Sequence, residues 1–263
     1  MKARPTWLAA AAAAAALLAA PALRADDGDY KRPPDARWGD YHAFVNDEGH
    51  LITCDATTGV EIDTGEVRPK RLAIAGKFLV VIEQDGDLAW FDIKTGNRTD
   101  SGADSPRQIA VAGHHLAAVE ERGDLVFWDM KTGFRQETAC KEPKRILASE
   151  SFLIAVREDG RLVHWDMVNG IKRDTGEDDP KRLLVSGLYL IAVTKGGEVA
   201  YWDMELGSRT DTGVSDPDRI GLRGRYLILT EGGKTRTWDM ITSAIHEGEP
   251  QTLPDPYQGI RPT

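Results

Sequence analysis

Gly123-Asp-Leu-Val-Phe-Trp128-Asp129-Met-Lys-Thr-Gly133 is the stretch that decides the fold. A short β-type run ends on an aromatic residue and an aspartate, and a turn signal follows at once. The same ending recurs along the chain. Asp92, Asp129, Asp166, Asp203 and Asp239 each follow an aromatic, and Asp55 follows Cys54. The steps between these six aspartates are 37, 37, 37, 37 and 36 residues. Glycines 49, 86, 123, 160, 197 and 233 keep the same step, as do Gly59, Gly96, Gly133, Gly170 and Gly207, with Ser243 in the sixth place. Prolines 69, 106, 143, 180 and 217 repeat every 37 residues without error. So many landmarks on one period make the chain a repeat protein.

One copy shows what is repeated. Residues 183–216 read as four short β-type segments with turn residues between them. The second segment is almost wholly apolar (Phe78–Ile82, Leu116–Val119, Phe152–Val156, Tyr189–Val193), which suits a strand covered on both faces. The fourth is polar (Asn97–Asp100, Ser208–Thr212), as an outer edge strand should be. Turn residues every eight or so positions exclude helices. Asp85-Gly86, Asp159-Gly160, Gly196-Gly197 and Gly232-Gly233 supply the positive φ angles of tight hairpins. In Asp-x-x-Thr-Gly the aspartate accepts backbone N–H bonds across its own turn and the glycine takes the left-handed position. These aspartates are turn formers, not acid catalysts.

A four-stranded unit of this size cannot bury both faces alone, so copies must stack. Twisted sheets with a bulky ring on the third strand suit radial stacking, each ring wedged between neighbours. Trp128-Asp129, Trp165-Asp166, Trp202-Asp203 and Trp238-Asp239 are the structural signature, with Trp90/Phe91 in the second copy. The expectation is an all-β, six-bladed β-propeller with four antiparallel strands per blade. Repeats span about 35–69, 70–106, 107–143, 144–180, 181–217 and 218–253, with a closing tail at 254–263. Pro254 is in step with Pro217, so the tail is expected to meet the N-terminal segment in one shared blade and fasten the ring.

The pattern Gly-x-Leu/Val-x-x-Trp-Asp-x-x-Thr-Gly resembles WD40-type propeller repeats, and also quinoprotein-type repeats, over residues 35–250. The Gly-His pair that opens a WD40 repeat is missing. So is the tryptophan that quinoprotein repeats place soon after Thr-Gly, since Thr95-Gly96 leads into Asn-Arg-Thr-Asp. The resemblance implies a WD40-like propeller in the broad sense, and no cofactor is expected.

Residues 1–25 differ from everything that follows. Lys2 and Arg4 precede an Ala/Leu-rich core from Trp7 to Ala20, and small residues offer cleavage after Ala22 or Ala25. This reads as a secretory signal ahead of a single domain at 26–263, giving a periplasmic or extracellular protein. No later apolar run approaches the ~18 residues of a spanning helix. The body carries 30 Lys and Arg against 42 Asp and Glu, a net of −12, which argues against nucleic acid as a partner. A monomer is expected.

Candidate sites are few. An arginine precedes most first strands, at Arg71, Arg145, Arg182 and Arg219, with Gln108 as the exception. Lys70, Arg107, Lys144 and Lys181 stand one residue earlier. In a propeller these positions surround one rim of the central channel, where guanidinium groups could hold a carboxylate, a phosphate or an acidic peptide. The competing reading is a repeated internal pair of each arginine with Asp63, Asp174 or Asp211. Copy six adds Arg223, Arg225, Lys234 and Arg236, better explained as a solvated edge. His114 and His115 are adjacent but do not share a metal-ligand spacing, and His164 fills a packing slot, so no metal is expected. Cys140 is expected in an exposed connection two blades from Cys54, so a bridge between them is geometrically unfavourable.

Six near-identical units place like residues at equivalent points, whereas catalysis needs unlike groups converging on one. The sequence therefore points to a non-enzymatic binding or scaffold module for a protein or anionic ligand. The alternatives are a propeller enzyme of the lactonase or quinoprotein-dehydrogenase kind, or a sugar-binding lectin.

Overall fold

The computed structural model describes residues 23–24 and 35–248. Every regular element among them is a strand. β1 (Leu23–Arg24) is a two-residue strand on the inner edge of the third sheet. The first sheet runs β2 (Asp35–Trp38), β3 (Tyr41–Val45), β4 (His50–Asp55) and β5 (Val60–Val67). The second is β6 (Arg71–Ala75), β7 (Phe78–Ile82), β8 (Asp87–Asp92) and β9 (Arg98–Asp104). The third is β10 (Gln108–Ala112), β11 (His115–Val119), β12 (Asp124–Asp129) and β13 (Phe134–Lys141). The fourth is β14 (Arg145–Ser149), β15 (Phe152–Val156), β16 (Arg161–Asp166) and β17 (Ile171–Asp178). The fifth is β18 (Arg182–Ser186), β19 (Tyr189–Val193), β20 (Glu198–Asp203) and β21 (Ser208–Ser215). The sixth is β22 (Arg219–Arg223), β23 (Tyr226–Glu231), β24 (Lys234–Asp239) and β25 (Ala244–Glu247).

Each sheet is an antiparallel meander in chain order, so the first strand of a blade is one edge and the fourth the other. First strands of successive blades lie beside one another from β2 through β18, which puts them around the axis. The expected leader and the tail at 254–263 fall outside the described residues, apart from Leu23–Arg24. Blade one nevertheless has four strands of its own from residues 35–67.

Local chemistry explains the repeat. The Trp-Asp aspartate accepts the N–H two residues on in every blade, for example Lys131 N to Asp129 Oδ1 at 2.8 Å and Glu205 N to Asp203 Oδ1 at 3.0 Å. Gly133 closes that turn at φ 73°, and Ser243 adopts the same left-handed conformation at 58° in blade six. The single 36-residue step has a local cause. Glu231 pairs directly with Lys234, so Gly232-Gly233 makes a two-residue hairpin, one residue tighter than its counterparts.

The second strands β7, β11, β15 and β19 are buried along their whole length, as their apolar runs require. Alternate residues of each blade point to opposite neighbours. Trp128 packs back toward blade two in one apolar cluster with Trp90, and Trp165 packs back toward blade three with Phe127. Trp202 and Trp238 repeat this between blades four and five and between five and six. Phe91 does so between one and two. A cation from the blade's own outer strand covers several of these indoles, with Arg135 over Trp128 at 5.8 Å and Arg209 over Trp202 at 5.5 Å. Cys140 is not in an exposed connection: it lies on β13, buried in the cluster between blades three and four. Both cysteines are free.

Five such clusters join the six blades, and none among the described residues joins the sixth to the first. The residues at that seam differ in kind. Cys54 stands where Trp128 or Trp165 would be, and Thr235 and Thr237 stand where Leu88 and Trp90 are in blade two. Phe44, Ile52 and Cys54 on one wall, and Ile228 and Thr235 on the other, remain half-buried.

Blade one is held by polar pairs as well. His50 Nδ1 lies 2.8 Å from Asp63 Oδ2, tying β4 to β5. The hydrogen bond to Asp63 raises the His50 pKa above 6.5, and the same bond lowers that of Asp63.

Three outcomes follow from this packing. Trp202→Ala removes one wedge and should lower stability by about 3–5 kcal/mol in a denaturant titration. Native-state hydrogen exchange should find lower protection in β3 and β23, beside the seam, than in β15 and β19. The His50–Asp63 pair stabilises blade one only while His50 is charged and Asp63 ionised. Its contribution fades as pH rises through the raised His50 value and as pH falls through the depressed Asp63 value. An NMR titration should place His50 above 6.5, and Asp63→Asn should return it to the ordinary range.

Candidate functional site

The chain leaves each outer strand and enters the next blade through one repeated device. The residue before each repeat proline has a positive φ: Arg68 53°, Ser105 44°, Glu142 44°, Asp179 44° and Asp216 44°. Its N–H bonds back to the glycine of the hairpin between the second and third strands, as in Glu142 N to Gly123 O at 2.7 Å and Asp179 N to Gly160 O at 2.8 Å. The left-handed bend turns the backbone inward, and proline then fixes the entry to the first strand. All the first strands therefore begin on the same axial end of the molecule, the near face.

Arg71, Arg145, Arg182 and Arg219 are the first residues of β6, β14, β18 and β22, so they do stand around the near-face mouth of the axis. Their lysine neighbours are neutralised within the blade. Lys144 Nζ lies 3.0 Å from Asp179, Lys181 Nζ 3.3 Å from Asp216, and Arg107 Nη1 2.7 Å from Glu142. Each pair joins the start of a blade to its end, and the bond from Lys144 holds the Asp179 carboxyl below its usual range. Lys144, Lys181 and Arg107 are thus the repeated structural pairs.

The arginines are a different case. Asp63 is engaged by His50, Asp211 by Arg209 at 2.7 Å, and Asp174 accepts the Gly176 N–H. None of the three pairs with Arg145 or Arg182. No carboxylate lies within 4.0 Å of the Arg145 or Arg182 guanidinium among the described residues, whereas Lys70, Arg71 and Arg219 each make an interaction of their own. Arg145 is half-buried, and loss of solvation pushes its pKa down. A buried cation without a counter-charge is a costly arrangement that an anion would relieve.

Gln108 has a role that its place as the odd member of the arginine series did not disclose. Its Nε2 donates to Pro143 O at 3.0 Å and its Oε1 accepts from Ile146 N at 3.2 Å. The amide staples β10 to β14, a bond to both a carbonyl and an N–H that arginine could not make. Only the fold brings those partners within reach.

Other candidates are accounted for internally. Arg225 pairs with Asp239 at 2.9 Å, and Arg236 pairs with Glu231 at 2.7 Å while covering Trp238 at 5.5 Å. His164 is buried, with Nε2 3.2 Å from Met204 O, and burial lowers its pKa. His114 and His115 stack at 4.1 Å, and burial lowers both, His115 with His114 adding to the effect. A shallow hollow on the near face is lined by Glu66, Glu83, Gln84 and Asp85, away from the arginine mouth and opposite to it in charge. No group of three or more His, Cys, Asp or Glu suited to a metal occurs among the described residues. No helix among them is long and apolar enough to cross a membrane.

No family model matches the sequence, and no curated protein matches it. Solved structures match in shape. The computationally designed Ika8 protein is 14% identical, with 81% of this chain and 72% of that one covered at a TM-score of 0.51. Human WBSCR16 is 9% identical, covering 81% and 77% at 0.50. BamB from Moraxella catarrhalis is 16% identical, covering 83% and 76% at 0.43. At such identities the likeness is one of fold. Six meander sheets whose first strands gather around one axis make the chain a six-bladed β-propeller repeat protein, and the likeness in fold to Ika8 and WBSCR16 agrees.

Proposed function

We propose that this propeller is an exported, non-enzymatic binding module that takes an anionic group at its near-face mouth. A carboxylate or phosphate, free or carried on an acidic peptide, meets Arg145 and Arg182 there. The observation that carries the reading is the half-buried Arg145 guanidinium, with no carboxylate within 4.0 Å among the described residues. Ion pairs with Asp179 and Asp216 absorb the neighbouring lysines, so the positive potential at the mouth rests on the arginines themselves. A planar guanidinium engages two oxygens of one anion at once, which lysine cannot do. In a chain whose body is net −12, a local cationic ring also selects by sign, attracting an anion that the remaining surface repels.

The absence of catalysis follows from repetition. Equivalent positions carry like groups, and a reaction site needs a nucleophile, a base and a charge stabiliser converging on one point. Export rests on the basic start, apolar core and small-residue cleavage positions of residues 1–25.

The test is calorimetry with pyrophosphate and with a short glutamate-rich peptide, comparing the parent with Arg145→Ala/Arg182→Ala. At least one probe should bind the parent and weaken at least about tenfold in the variant, roughly 1.4 kcal/mol. Binding should also weaken as salt rises. Equal affinities for both proteins would remove the arginine mouth as a binding site.

A further inference from the structure

The two axial ends of the propeller are chemically unlike. Opposite the near face, the far face carries two turns per blade: one joins the first and second strands, the other the third and fourth. Nine large hydrophobic residues are exposed among the described residues, and eight of them belong to this end. Val168, Leu206 and Ile241 sit at the tips of the turns after the Trp-Asp aspartates, 66%, 73% and 61% exposed. Phe134, Ile171 and Ile245 open or nearly open the outer strands that follow such turns. Val60 does the same in blade one, and Trp38 ends its innermost strand at the same level. Val67 alone lies toward the near face. Isolated exposed hydrophobics need no explanation, but eight of nine on one end are not scatter.

We infer that the far face is a docking surface for a lipid bilayer. The apolar side chains arise from equivalent turns in successive blades, so they share one axial level and trace an arc in a plane. Asn169 and Gly170 stand between Val168 and Ile171, Thr242 and Ser243 between Ile241 and Ile245, and Lys94 and Lys131 take the equivalent tips in blades two and three, so polar residues interrupt the apolar set, unlike the dry centre of a protein interface. A bilayer makes no such demand, because each side chain enters the interface separately while the backbone stays at headgroup level.

Charge agrees with this assignment. Counted with the six aspartates that open them, the far-face turns hold four cations (Lys77, Lys94, Lys131 and Arg225) against nine carboxylates, but their outermost positions carry Lys94 and Lys131 in the places that Val168 and Ile241 take in other blades, with Glu205 the acid at that level. Lys94 and Lys131 have no carboxylate within 4.0 Å among the described residues. The turn aspartates are held inward, accepting backbone N–H groups, and Lys77 and Arg225 further neutralise Asp92 and Asp239. Exposed lysines at that level can meet anionic headgroups while the apolar tips enter the interface.

The test is co-sedimentation with vesicles of phosphatidylethanolamine and phosphatidylglycerol, comparing the parent with Val168→Asp/Leu206→Asp/Ile241→Asp. These side chains are exposed, so the variant should keep the parent's melting temperature. If it does not, Val168→Ser/Leu206→Ser/Ile241→Ser serves instead. The parent should sediment with vesicles, and the variant's partition should fall at least about tenfold. The parent's binding should survive high salt, because apolar insertion is not screened. Any apolar N-terminal segment contributes equally to both chains. Arg145→Ala/Arg182→Ala should bind vesicles like the parent, so this inference and the near-face reading fail separately. Equal sedimentation of parent and aspartate variant overturns the inference. So does a parent that stays in solution, and so does a self-associating parent whose dimer, seen by light scattering, the aspartate variant abolishes without any vesicle binding.

Discussion

A sheet of four strands that is apolar on both faces has no stable existence in water, and the rest of the structure follows from that constraint. In blades two to five the second strand is buried from end to end, which requires cover on both sides. The cover is another copy of the same unit. The indole or phenyl ring before each aspartate reaches back into the preceding blade, and the next ring along the third strand reaches forward. Hydrophobic burial thus works between blades more than within them. The hydrogen-bonded meander serves to hold the two apolar faces back to back.

That logic needs an end, and the terminal blades provide one by changing residue type. Cys54 replaces an incoming aromatic, and Thr235 and Thr237 replace an outgoing leucine and tryptophan. Thr237 turns its hydroxyl to Gly248 O at 2.9 Å, and Thr230 and Thr235 share a hydroxyl contact at 3.1 Å. His42 stacks on Phe44 and reaches Asp35 at 3.0 Å on the opposing wall. Polar satisfaction within each wall takes the place of a shared apolar core, as capping units do in other stacked repeats.

The same periodicity separates two kinds of chemistry along the axis. On the near face, left-handed bends before proline place Glu142, Asp179 and Asp216 beside basic residues of their own blades and leave Arg145 and Arg182 with no carboxylate within 4.0 Å among the described residues. On the far face, the turns after the Trp-Asp aspartates use those aspartates internally, and in blades four to six they push Val168, Leu206 and Ile241 outward. One end of the molecule is thus built from charge and the other from apolar tips, though both descend from one repeated segment.

Much of the architecture could be read from the residues. The number of copies, their four strands, the buried tryptophans and the turn-forming aspartates are all local or strictly periodic properties, and a 37-residue step exposes them directly. What the sequence could not decide depends on which groups meet across blades. It set Arg145 and Lys144 side by side at one rim, but the fold gives the lysine an aspartate 35 residues on and, among the described residues, gives the arginine no carboxylate within 4.0 Å. It treated Gln108 as a lapse in a series, yet the amide needs partners on the next blade that only close approach of β10 and β14 supplies. Cys140 falls in a polar stretch that reads as a connection, and only the inter-blade packing shows that it lies on a strand and is buried. Composition and period determined the repeat and its strands because hydrogen bonding and alternation are short-range. Tertiary structure decided the partners, the seam and the unlike axial faces, because these arise from residues that are distant in the chain and adjacent only once the blades have stacked.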